Sequence, residues 1–386
     1  MVNNSTFNNP NLFQKALYCL FAFIGFPFFI TLSALVFINV AKTGNAAEVA
    51  LLTSIVTINY IFTPLVIILA LATWHISSLR KKQAGQLFNH SRIIYYCISS
   101  CRYLLAAILL QYGVSKLVGD GQLHTSYLWY GDELGKLSGF QLTWSFFSYS
   151  PFYNASIAAI EILGALFLLF RRTTLLGAVF LLPALINITL IDFNYGISAK
   201  DIISVLLLMD IFIVAICFRP LYNLFVKLEA IDPTKLVSAY GPVVPQHKWL
   251  KPVGFTIIFL FVLLTNYNQM NTSGPQPLDG AWQATMVKNH SDSIPEKNNQ
   301  LRLRLFVDGQ TATIKKTYQF DDFNLSIGGA DKSQLSLLNI SNTLHTKDVI
   351  GRYSLINKDS LVFEGKDGRD SVSWSFKRTG RPAVTN

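Results

Sequence analysis

The stretch YYCISSCRYLLAAILLQYGVSKL, residues 95–117, decides how this chain is read. It is long and apolar enough to cross a bilayer, which takes ~20 residues of helix. Yet Arg102 lies well inside it and Lys116 near its end. A cation buried in lipid costs at least ~2.5–3.5 kcal/mol. Each of the two therefore needs an acid, a polar partner or a task. The reading of the whole molecule grows from which other segments cross the membrane and which acids meet these cations.

Further apolar runs lie on both sides. Seven are read in all, at about 13–41, 50–78, 93–117, 152–170, 173–194, 198–217 and 250–268. Asn59, Pro64 and His75 interrupt the second. Composition agrees, with 51% of the 386 residues hydrophobic and only 14% charged. That charge content is too low for an ordinary soluble protein. The first run is long, and no small-residue cleavage site follows it, so it reads as a span and not as a cleaved signal. Residues 1–12 are polar and Asn-rich and read as disordered.

The net charge of +10 is placed for topology, not for nucleic acid. With the N-terminus in the cytoplasm, the inside segments hold Lys15, Arg80, Lys81, Lys82, Arg92, Arg171, Arg172, Arg219, Lys227, Lys235, Lys248 and Lys251, against Glu229 and Asp232. Those segments account for the entire net charge. Outside loops of the membrane part hold only Lys42, Lys116, Lys136 and Lys200. This follows the positive-inside rule and puts everything after residue 268 outside the cytoplasm. Between the sixth and seventh runs, the cytoplasmic loop 218–249 opens with Leu221, Leu224, Phe225 and Leu228 at helical spacing, as in a surface-lying amphipathic helix. The outside loop 118–151 carries Trp129, Tyr130 and Trp144, which with Tyr149 and Tyr153 suit the headgroup level.

Depth along the helices suggests partners. Counted from the ends of their runs, Arg102 and Glu161 each lie ~14 Å deep and Asp210 ~18 Å deep, from alternating faces. All three then sit near the middle of a core ~30 Å thick. The expectation is an Arg102–Glu161 pair, with Asp210 nearby or protonated. A second, outer polar cluster gathers Gln111 and Lys116, Asn187, Asp192 and Asn194, and Lys200 and Asp201, with His124, Asp132 and Glu133 on the loop between. It could hold a polar headgroup or relay protons. Cys19, Cys97, Cys101 and Cys217 all lie in apolar helices without redox spacing and read as small buried hydrophobes. No metal motif, phosphate loop or haem-type histidine pair is present in the sequence.

The segments CRYLLAAILLQYGVSKLVGDGQ and PFYNASIAAIEILGALFLLFRRTTLLGAVFLLPALINITLIDFNYGISAKDIISVLLLMDIFIVA resemble the DoxX-like family of four-helix membrane proteins. Arg102, Gly113 and Lys116 in the first core helix carry the likeness, with Glu161 and Gly164 in the second, then Gly177, Asn187 and the DFNY turn. The family takes its name from a subunit of thiosulfate:quinone oxidoreductase. The resemblance therefore implies a four-helix core at 93–217, a quinone as candidate cofactor and a redox protein as membrane partner. It supplies no catalytic residues. The helices at 13–78, the seventh at 250–268 and the C-terminal domain are additions to the minimal family pattern.

From residue 271 the pattern changes. After the tether NTSGPQP come eight period-two segments, from GAWQATMVK to SVSWSFKRT, separated by turn residues. Eight meandering strands over 277–380 close most simply into a small antiparallel barrel. The opening LDGAW resembles the Gly-x-Trp start of lipocalin-type barrels at Gly280 and Trp282. Period-two alternation assigns Trp282, Ala284 and Met286, Leu301, Leu303 and Leu305, and Val372, Trp374 and Phe376 to the interior, with Arg302 and Arg304 outward. Side chains of that size predict a packed interior. The chain is thus read as an α-helical membrane bundle of about seven spans with an extracytoplasmic β-barrel-like domain, a multi-pass protein of the bacterial inner membrane. Two functions fit: a quinone-linked or oxidative-stress redox subunit, or a membrane-anchored module whose barrel binds a lipid or a protein.

Overall fold

The computed structural model describes residues 10–31, 46–118, 126–127, 129, 134–230, 234, 239–240, 250–271, 278–289, 292–295, 303–308, 311–316, 319–328, 334–339, 349–367 and 370–379. The chain divides into two compact units: 1–123 with 149–272, and 124–148 with 273–386.

The first unit is helical. Its elements are α1 (Leu12–Phe23), α2 (Ala46–Gln83), α3 (His90–Ser115), α5 (Pro151–Leu169), α6 (Thr174–Asn194), α7 (Lys200–Ile216), α8 (Phe218–Phe225) and α9 (Leu250–Asn271). Among the described residues five helices are long and apolar enough to cross a membrane: Leu12–Thr31, Thr57–Gln83, His90–Ser115, Pro151–Leu169 and Thr174–Asn194. A sixth is added if α7 and α8, bent by 70° at Cys217, form one span. The seventh expected span, 250–268, falls within α9, a helix of 22 residues. Residues 1–9 lie outside the described residues. Asn11, expected to be disordered, instead caps α1, accepting from Gln14 N at 2.8 Å while Gln14 Oε1 accepts from Asn11 N.

Lipid gives helices no hydrophobic reason to associate, so close packing must come from small residues. The sequence supplies them where α3, α5 and α6 meet. A Cβ on Gly113 of α3 would lie 2.6 Å from Ile162 Cγ1 and 3.2 Å from Ala158 O on α5. A Cβ on Gly177 of α6 would lie 2.8 Å from Gly164 O, and one on Gly164 would collide with Leu181. Ala158, Ala165 and Ala178 are fully buried beside them. Towards the start of α3 the packing is polar. Lys15 Nζ donates to Ser78 Oγ at 2.8 Å, Trp74 Nε1 to His90 Nδ1 at 3.1 Å, and Ser100 Oγ to Ala22 O at 2.8 Å. Lys15, which the sequence places at the cytoplasmic edge, is thus a buried tie between α1 and α2. The four cysteines are buried and unpaired, as expected.

The second unit is a sheet with short helical segments. The stretch 118–151, read as an aromatic loop, contains α4 (Gly139–Tyr149). Trp144 stacks on Phe140 with ring centres 4.1 Å apart, and Trp129 meets Phe140 edge-on at 6.0 Å. Tyr130 lies outside the described residues. The strands are β1 (Gly280–Asn289), β2 (Asp292–Pro295), β3 (Leu303–Asp308), β4 (Thr311–Lys316), β5 (Gln319–Gly328), β6 (Gln334–Asn339), β7 (Val349–Asn357), β8 (Ser360–Asp367) and β9 (Asp370–Arg378). Among the described residues nine strands stand where eight were expected. The extra one is β2, and the segment TATIKKTYQF divides between β4 and β5. All pairings are antiparallel, in the order β2-β1-β3-β4-β5-β6-β7-β8-β9, and β1 pairs with β9 as well.

Trp282 is fully buried, and its Nε1 donates to Leu278 O at 2.8 Å. The Arg378 guanidinium covers its ring at 4.3 Å and donates to Asp279 O and Lys358 O at 2.6 and 3.0 Å. Gly280 has φ +142, a conformation that needs glycine. Leu303, Leu305, Val372, Trp374 and Phe376 join Trp282 and Ala284 in one core, as the alternation predicts. Leu301 and Arg302 lie outside the described residues, and Arg304 is half-buried. Met286 departs from the expectation: it is 41% exposed. The β1–β9 register shifts between Ala284 and Met286, so one extra residue in β1 reverses the alternation beyond it.

Candidate functional site

A polar site forms where α3 ends against α5. α5 starts cleanly: Ser150 accepts from Tyr153 N and Pro151 takes the first helical position. Glu161 then falls near the middle of the helix, ten residues or ~15 Å from its start. Its partner is Lys116, with Nζ 2.7 Å from Oε2. The two side chains are 10% and 4% exposed. Lys116 also lies against its own preceding turn, 3.5 Å from Tyr112 O and 5.7 Å from the Tyr112 ring centre. Asn154 Nδ2 donates to Lys116 O at 3.3 Å.

Other charges converge on this pair. Asp192, buried on α6, feels both Lys116 and Lys200, and Tyr112 feels both Glu161 and Asp192. Asn154 Oδ1 and Gln111 Oε1 are buried and accept no hydrogen bond from the described residues. The arrangement thus offers an ammonium donor, two carboxylates and one open amide acceptor, Asn154 Oδ1, set in apolar helices. Gln111, two residues from Gly113, lies on the other side of α3. It can grip a small group that both accepts and donates hydrogen bonds.

The expected Arg102–Glu161 pair is not what the structure contains. Gly113 faces Ala158, Glu161 and Ile162, so Glu161 stands level with the end of α3. Arg102 lies eleven residues, or ~16 Å, away along that helix. Its Nη1 donates to Thr174 Oγ1 at 3.1 Å, at the start of α6. The depth count assumed that each apolar run begins at the same bilayer level. α3 is 26 residues long and α5 only 19, and α3 is shifted lengthwise against α5. Glu161 therefore leaves the expected membrane cluster and joins the outer one.

Of the other expected outer residues, Asn187, Asn194 and Asp201 are exposed, and Asn194 Nδ2 bonds back to Leu190 O at 2.7 Å. His124, Asp132 and Glu133 lie outside the described residues. Asp210 is fully buried, and neither carboxyl oxygen has a hydrogen-bond partner among the described residues.

Over 137 residues the chain is 34% identical to the uncharacterised protein YwoB of Bacillus subtilis (strain 168), which covers 36% of this chain and 86% of YwoB. The chain belongs to the family of YwoB. No family model matches it, and no solved structure does. The name YwoB assigns no chemistry, so the family leaves the reaction to be argued from the site.

Sequence reasoning did not single out Tyr112 and Asn154 in this YwoB-family chain. Tyr112 was within reach, because it lies one helical turn before Lys116 and so on the same face. Asn154 was not, since its contact with Lys116 depends on the stagger of α5 against α3.

Proposed function

We propose that the protein is a DoxX-like, multi-pass membrane protein whose helical unit binds the headgroup of a quinone beside Lys116 and Glu161, as a subunit of a membrane redox system. The observation that carries this reading is the buried 2.7 Å Lys116–Glu161 pair. Desolvating both charges costs several kcal/mol per ion, and mutual attraction repays it only with good geometry and further hydrogen bonds. An ionised pair among membrane helices is by default a functional feature. A quinone carbonyl accepts from the Lys116 ammonium. A quinol hydroxyl donates to Glu161 or Asn154. The site thus offers complementary partners to both redox forms, and the carboxylates offer a place for the proton that accompanies reduction.

The distribution of cations supports an inside N-terminus and an outside sheet domain. For the sheet we favour a closed barrel, supported by the pairing of β1 with both β3 and β9. The second reading, a membrane-anchored binding or assembly module, is favoured by one observation. Trp282, Phe363, Trp374 and Phe376 fill the sheet's core, which suits contact through the outer surface with a protein partner.

The test is extraction. Protein purified from membranes in mild detergent is expected to carry close to one quinone per chain, and Lys116→Met, still helical, to carry almost none. Equal quinone in both, or none in the wild type, defeats the reading.

A further inference from the structure

Arg102 is a buried cation that the Lys116–Glu161 site does not use. It is 4% exposed. Among the described residues no acid lies within ion-pair distance of it, and its Nε has no hydrogen-bond partner. Its contacts are the Thr174 hydroxyl at 3.1 Å and the face of Tyr103 at 4.8 Å. Neither carries negative charge. Leaving a charge buried without a counter-charge is the costliest arrangement a side chain can adopt, and membrane proteins normally avoid it.

What surrounds Arg102 adds positive potential. Thr174 is the first residue of α6, so the guanidinium lies at that helix's amino end, where unpaired N–H groups and the helix dipole favour an anion. The N-cap residue, Thr173, makes no capping bond; its hydroxyl turns back to Phe167 O at 2.7 Å. Arg171 is close enough to feel Arg102. Burial is the main cause that lowers the Arg171 pKa below the ordinary arginine value; Tyr95 opposes this and the positive field of Arg102 adds to it. The buried acid in the neighbourhood is Asp210, which shares Tyr240 with Arg102 as an electrostatic neighbour, but neither of its oxygens receives a hydrogen bond from Arg102.

We infer that Arg102, Thr174 and the amino end of α6 form a binding site for a phosphate-class oxyanion. Such a group accepts from Arg102 Nε and from the first N–H groups of α6, and it supplies the missing counter-charge. The level suits a phospholipid headgroup, since the turn between Leu169 and Thr174 joins the ends of two apolar helices. A free oxyanion from solution has the same chemistry. The site is separate from Lys116–Glu161 and does not rest on the quinone reading.

Full-length protein is purified in detergent, and phospholipid retained per chain is counted by native mass spectrometry. In a second arm, lipid-stripped protein is titrated with inorganic phosphate at constant ionic strength and followed by its melting temperature. Losing a hydrogen bond to a charged group weakens binding by about tenfold or more. A lipid retained by the wild type and at least tenfold depleted in a helical Arg102→Gln identifies the headgroup as occupant. A phosphate-induced rise in melting temperature that Arg102→Gln abolishes identifies a free oxyanion. If Arg102→Gln does not fold, Thr174→Val takes its place and is expected to weaken binding severalfold. Wild-type protein that holds no phospholipid and ignores phosphate overturns the site. So does a folded variant that binds as the wild type does.

Discussion

At the scale of single residues, Lys116 and Glu161 hold each other in place. Lys116→Met leaves Glu161 buried without a counter-charge, and breaking a buried pair from one side costs about 3–5 kcal/mol. The double variant Lys116→Met/Glu161→Leu replaces the pair with apolar groups and is expected to recover much of that loss. Denaturant or thermal melting in detergent checks both. A Lys116→Met protein as stable as the wild type would show that the pair contributes nothing. That these residues are special was legible in the sequence, because charges inside apolar runs must be accounted for. Which cation meets which acid was not. Depth counted from the ends of runs put Glu161 opposite Arg102, whereas the helices are offset by roughly three turns. Nothing in a single sequence states the offset between two apolar cylinders. It is set by where small residues let them touch, here at Gly113.

The same glycine governs the element scale. A side chain at 113 would run into Ile162 and the backbone of α5, so Gly113→Val must push α3 and α5 apart. Overpacking of this kind typically costs about 1–3 kcal/mol. The separation also draws Lys116 away from Glu161. Gly113→Val is therefore expected to lower the melting temperature and the quinone content together. If the variant loses neither, the close approach of the two helices is not what holds the site. Helix positions were largely readable, because an apolar run of membrane length is a strong signal. The bend at Cys217 was not, because hydrophobicity does not report where backbone geometry breaks. In the sheet, the alternation around Trp282, Leu305 and Trp374 predicted the core correctly. It failed at Met286, where a bulge inserts one residue and period two is lost. The short β2 escaped notice because DSIP has neither the length nor the apolar residues that mark a strand.

For the whole molecule, the cation pattern predicts that a phosphatase reporter fused after residue 386 is active outside the cytoplasm, and that a cytoplasmic reporter there is silent. The reverse result would invert the topology and every depth assigned from it. The two units are expected to divide the work, with ligand chemistry in the helices and contact with partners at the sheet. Photolabelling with an azidoquinone tests that division most directly. Membranes containing the protein are irradiated, and the labelled peptides are identified by mass spectrometry. The account predicts adducts on the peptides around Tyr112–Lys116 and Asn154–Glu161, competed by unlabelled quinone and absent in Lys116→Met. Labelling confined to the sheet, or spread over the helices without competition, would contradict it.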